Sequence, residues 1–106
     1  MFKFLKRNKN ISNDNGINQI YYDDGRGSLY FVCNKINGNY EGEGKYYYST
    51  GGLIKIENYK NGDLDGETRI YNGHEEVLEI LKFEKGIRIA TETDIELLNK
   101  FESIKD

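Results

Sequence analysis

At 106 residues with a formal net charge of -3, the chain fits one domain with a single modest core, and its evenly mixed Lys, Glu and Asp leave no broad basic surface for a phosphate backbone. Nucleic acid is not expected as a partner, and no window nears the roughly 20 apolar residues of a membrane-spanning helix. The single cysteine, Cys33, cannot close an intramolecular disulfide, which points to a reducing, cytoplasmic setting.

The N-terminal stretch MFKFLKRNKN carries only Phe2, Phe4 and Leu5 as apolar side chains, too few for the roughly 7 to 15 continuous apolar residues of a signal peptide. Its Lys3, Lys6, Arg7 and Lys9 suit transient contact with an anionic membrane, at about 1 kcal/mol per basic residue near the surface. A peripheral membrane adaptor is therefore a second functional reading. The plainer expectation is that residues 1 to 18 form a flexible basic and polar segment.

Runs rich in Tyr, Ile, Val and Leu then predict strands near residues 19–23, 28–36, 42–48, 53–60, 66–72, 76–84 and 87–90. Turn chemistry separates them, as in STGG at 49–52 and KNGDLDG at 60–66, where Asn-Gly supplies the positive dihedrals of a tight connection. Within 53–59, Ile54 and Ile56 share one face while Lys55, Glu57 and Tyr59 share the other, which reads as solvated. From Thr93 the period changes. Thr93 with Glu96 has capping-box spacing, and Leu97, Phe101 and Ile104 mark a helix over about 94–104. Such a helix is expected to pack on the sheet and cap the last repeat, with recruitment of a partner as the alternative.

The strands repeat. Gly38, Gly62 and Gly86 are 24 residues apart, as are Gly42 and Gly66, Tyr47 and Tyr71, and Asn37 and Asn61. The same shift aligns Tyr30 with Ile54 and Leu78, and Val32 with Ile56 and Ile80. The fold class is thus mainly β: an antiparallel meander of repeated hairpins over residues 19–90, in units of about 19–43, 44–67 and 68–86, with a C-terminal capping helix over 91–106.

With the repeat laid out, GEGKYYYSTGGLIKIENYKNGDLDGE and GETRIYNGHEEVLEILKFEKG resemble MORN repeats of the bacterial, antitoxin-like (YwqK-type) variant. This chain departs from that pattern at Asn72-Gly73-His74, where the preceding unit has Tyr48-Ser49-Thr50, and at Thr68-Arg69-Ile70, which replaces Gly44-Lys45-Tyr46. The resemblance implies a sheet of stacked hairpins that serves as a binding or scaffolding surface. It brings no catalytic residues and no cofactor, and neutralising a partner protein is one form of the binding it implies.

The candidate sites divide accordingly. YKNGDLDGE places Asn61, Asp63 and Asp65 like calcium ligands, but the twelfth position of such a loop is Asn72 rather than a bidentate Glu, and both flanks read as strands. A unit-to-unit turn explains the spacing, and no metal is expected. His74 reads as a solvated turn residue, Cys33 as a buried or half-buried thiol, and the pairs Glu41 with Glu43 and Glu75 with Glu76 as parts of a solvated surface. GRG at 25–27 lacks the Lys and Ser/Thr of a phosphate loop. Tyr46 reads as core, whereas Tyr47, Tyr59, Tyr71 and Phe83 form a candidate protein-binding stripe on the opposite face. Packing along a two-sided sheet is the alternative for those four, and an exposed apolar face or uncovered edge also invites self-association.

Overall fold

The computed structural model describes residues 9–105, with side chains to Lys100. The strands are β1 (Gly16–Tyr21), β2 (Leu29–Ile36), β3 (Asn39–Tyr47), β4 (Leu53–Lys60), β5 (Asp63–Leu64), β6 (Gly66–Tyr71), β7 (Val77–Glu84) and β8 (Ile87–Ile89), followed by helix α1 (Glu92–Lys105). All pair antiparallel in one sheet of order β1-β2-β3-β4-β6-β7-β8, with the two-residue β5 also on β4. The expected mainly β meander of hairpins is what the chain forms.

The 24-residue period is written into the backbone. Ile20 pairs with Phe31 and Tyr21 with Leu29, leaving Tyr30 as an extra residue; the same bulge leaves out Ile54 and Leu78 in the later hairpins. The tight turns recur too. Asn37-Gly38, Asn61-Gly62 and Lys85-Gly86 each place two successive residues at positive φ, from 51° to 87°, the requirement of a type I′ hairpin. Each turn is bonded to chain that precedes its own hairpin. Gly38, Gly62 and Gly86 donate their N–H to the carbonyls of Asp14, Tyr40 and Leu64, while Asn37, Asn61 and Lys85 donate theirs to side-chain oxygens of Asn15, Glu41 and Asp65.

Apart from the bulged ends, each ladder pairs an even-numbered residue with an odd-numbered one, such as Tyr46 with Lys55 and Thr68 with Leu81. One face therefore carries even positions in one strand and odd positions in the next. On the more buried face, a row of small and polar residues crosses the strands: Asn18, Cys33, Gly44, Glu57 and Thr68, none more than slightly exposed. Aromatic rings from the adjoining positions cover this row. Phe31, itself only 2% exposed, lies 4.5 Å from Tyr46 and 5.3 Å from Tyr40 between ring centroids, and Tyr40 lies 5.4 Å from Tyr59. Gly44 provides the seat for this roof, since a Cβ there would stand 2.7 Å from the Tyr59 ring and 3.1 Å from Phe31.

Several expectations are corrected. Glu57 and Tyr59 do not face solvent: Glu57 is 8% exposed and accepts the Tyr59 hydroxyl, because β4 meets β3 in the register that puts them beside Gly44 and Tyr46. Residues 10–18 are not a loose segment. Ile11 exchanges two backbone hydrogen bonds with Gln19, and Asn18 bonds to the N–H and carbonyl of Asn13, so this stretch folds along the outer edge of β1. Residues 1–8, with the expected membrane-contact side chains, lie outside the described residues.

The helix begins two residues earlier than expected, capped by Thr91 and Asp94 rather than Thr93 and Glu96. Nor do its described apolar side chains cover the sheet. Ile95, Leu97 and Leu98 stay exposed, and a polar pair, Arg88 with Asp94 at 3.2 Å, ties its first turn to β8. Phe101 and Ile104 fall among the residues whose side chains are not described. Among the described residues, no helix is long and apolar enough to cross a membrane.

Candidate binding face

The four residues of the expected aromatic stripe divide between the two faces. Tyr59 and Phe83 lie on the covered face, Tyr59 bonded to Glu57 at 2.6 Å and to the Tyr46 hydroxyl at 3.0 Å, Phe83 paired with Gly66 two positions from Leu81. Burial pushes the Tyr59 phenol well above its ordinary value, and the hydrogen bond to the Glu57 carboxylate pushes it further. Tyr46 is raised by burial as well. Tyr47 and Tyr71 lie on the other, open face, where Tyr47 pairs with Leu53 and Tyr71 with Val77. All four stripe positions are odd-numbered, and the alternation of parity from strand to strand divides them.

The open face has an order of its own. Val32 pairs with Lys45, Lys45 with Ile56, Ile56 with Arg69 and Arg69 with Ile80, so one continuous row of alternating aliphatic and basic residues crosses β2, β3, β4, β6 and β7. The Tyr47–Leu53 and Tyr71–Val77 pairs stand beside that row, one per hairpin. Around Lys45, Tyr47, Leu53 and Ile56 the surface dips into an open groove of about 520 Å³, walled at one end by Gly51-Gly52 and Gly73-His74-Glu75. These two connections stack closely, for a Cβ on Gly52 would meet the Gly73 carbonyl oxygen at 2.6 Å.

Charge is used differently on the two faces. On the covered face the Lys35 ammonium sits 4.9 Å from the Tyr40 ring centroid, and that of Lys55 sits 4.6 Å from Tyr46 and 3.4 Å from Glu57. On the open face Arg69 is bonded to Glu67 at 3.1 Å, whereas Lys45 makes no ion pair among the described residues. Sequence reasoning missed both this row and the buried polar one. A signal for the former was available, since Lys45 and Arg69 are 24 residues apart and so are Val32, Ile56 and Ile80.

The remaining candidates have structural roles. Asp65 of the calcium-like stretch accepts the Lys85 N–H, and Glu41, its counterpart one unit earlier, accepts that of Asn61. Among the described residues no three His, Cys, Asp or Glu side chains gather as a metal group. His74 is exposed in its turn, its N–H held by the Asn72 side chain. Cys33 is buried, as expected, and burial raises its thiol above the usual range, opposite to the activation of a nucleophile. Compared with known proteins, the chain matches no family model, no curated protein and no solved structure.

Proposed function

We propose that this chain is a non-catalytic, cytoplasmic protein-binding module of MORN-like hairpins that engages its partner through the open face of the sheet. One observation carries the reading. The covered face is closed by its own side chains, with rings roofing a buried row and lysines bound to rings and carboxylate, whereas the open face presents the half-buried Tyr47 and Tyr71 beside Lys45, which makes no ion pair among the described residues. Aromatic side chains on a rigid strand surface anchor protein interfaces because they bury much area for little lost freedom, and a cation beside them selects an acidic partner. Neutralising or scaffolding that partner are the outcomes the MORN-like repeat suggests.

The test is affinity capture from the source organism's lysate with three folded baits: the wild type, Tyr47→Ser with Tyr71→Ser, and Lys35→Ala as a covered-face control. The expected result is one protein retained by the wild type and the control and lost by the double variant. Equal retention by all three would remove the open face from consideration.

A further inference from the structure

Resting on the reading of the open face as a protein-binding surface, we infer that its occupant is an extended polyproline-II segment with an acidic residue at every third position, laid across the strands. Spacing is the first argument. Lys45 and Arg69 occupy one row with Ile56 between them, two strands apart, which at about 4.8 Å per strand is about 9.6 Å. A polyproline-II helix has three residues per turn and rises about 3.1 Å per residue, so it presents the same side every 9.3 Å or so. No other regular backbone matches as directly. A β-strand repeats a face at about 6.8 Å, and an α-helix near 5.4 Å or, over two turns, about 10.8 Å.

The chemistry repeats at the same step. Beside Lys45 stands the Tyr47–Leu53 pair, and beside Arg69 the Tyr71–Val77 pair, giving aromatic-walled seats of the kind that hold proline rings. A polyproline-II backbone makes no internal hydrogen bonds, so its carbonyls are available to the Tyr47 hydroxyl, while the Tyr71 hydroxyl already lies against Arg69. The row itself contains no carboxylate, and its Lys45 lies between Val32 and Ile56 without an ion pair among the described residues. Glu67 bonds Arg69 from two residues along β6, and Glu43 stands two residues from Lys45 on β3. These carboxylates border the row on one side. They weaken the Arg69 site relative to Lys45 and disfavour acidic residues placed off the row.

Fluorescence anisotropy with labelled peptides tests this. The probes are five Glu-Pro-Pro triplets, five Lys-Pro-Pro triplets, and a peptide of the first composition with its glutamates grouped at one end in alternation with proline, so that no two stand three residues apart. The triplet acidic peptide is expected to bind, the lysine peptide not to bind, and the grouped peptide to bind about fivefold more weakly because it reaches only one cation in register. Lys45→Glu is expected to weaken the triplet peptide about tenfold and Arg69→Gln about threefold. Lys45→Gln serves if charge reversal disturbs folding. Equal binding of the triplet and grouped peptides, indifference to Lys45, or no binding overturns the inference. If a protein is still captured through Tyr47 and Tyr71 after such a result, the wider binding reading stands with an occupant of another shape; if neither experiment shows binding, both fall.

Discussion

The second and third hairpin units share a 24-residue template, yet only the second is roofed. Where one has Gly44, Tyr46 and Tyr59, the other has Thr68, Ile70 and Phe83, and the position of Phe31 passes to Lys55. The third unit also ends the array, and its Leu78 and the following Ile87 are 66% and 69% exposed. In a one-layer sheet no second layer supplies burial. Rings must lie over neighbours on both sides, and a small residue must leave them room. The second unit has both conditions and the third has neither.

Filling the seat in the second unit should have the largest effect. Gly44→Ala places a methyl against the Tyr59 and Phe31 rings and is expected to cost about 1–3 kcal/mol in urea unfolding, the usual scale of overpacking. Next comes Tyr59→Phe, which makes position 59 like its counterpart Phe83. Removing the hydroxyl leaves the Glu57 carboxylate short of a donor, and about 1–2 kcal/mol should be lost.

The same phenol sets an alkaline limit. Because its value in the fold lies above the ordinary 10.0, the unfolded chain ionises first. Its contribution is therefore intact below about pH 10 and declines as the pH rises above it. Tyrosine absorbance at rising pH should show a late-ionising fraction that shrinks in Tyr59→Phe.

In the third unit the expected change is smaller and of opposite sign. The Thr68 hydroxyl is buried with no hydrogen-bond partner, so Thr68→Val should leave stability unchanged or raise it by up to about 1 kcal/mol; a clear loss would mean that the hydroxyl is satisfied. Smallest of all is the helix cap. Hydrogen bonds from the Thr91 backbone and hydroxyl, assisted by Arg88, hold the Asp94 carboxyl below its ordinary 3.8. The cap is complete above that value and is lost as the pH falls through the lower folded value, so helical circular dichroism should decline there in the wild type and not in Asp94→Asn.

Much of this architecture was legible in the chain, for physical reasons that are local. Asn-Gly at 37–38 and 61–62 announces tight turns, the recurrence of apolar runs gives the strands, and the change of period after Thr93 gives the helix. What was not legible depends on long-range register. Whether Tyr59 joins Tyr46 or Tyr47 is decided by β4 meeting β3 with Lys55 opposite Tyr46, and no feature of residues 53–59 states that choice. The cap had two local solutions two residues apart, and Arg88 reaching Asp94 from β8 favours the earlier one. The buried row escaped notice because burial usually marks apolar residues, whereas here the polar Asn18, Glu57 and Thr68 are buried.

The bonds that hold each tight turn to earlier chain give the array a direction. Asn61 and Gly62 need Glu41 and Tyr40, Lys85 and Gly86 need Asp65 and Leu64, and the series starts from Asp14 and Asn15. A chain leaving the ribosome finds every acceptor already made when the next donor emerges, so assembly can follow synthesis without waiting. Losing residues from the C-terminal end removes only the last link, whereas losing Asp14 and Asn15 releases the first turn on which the later ones are stacked.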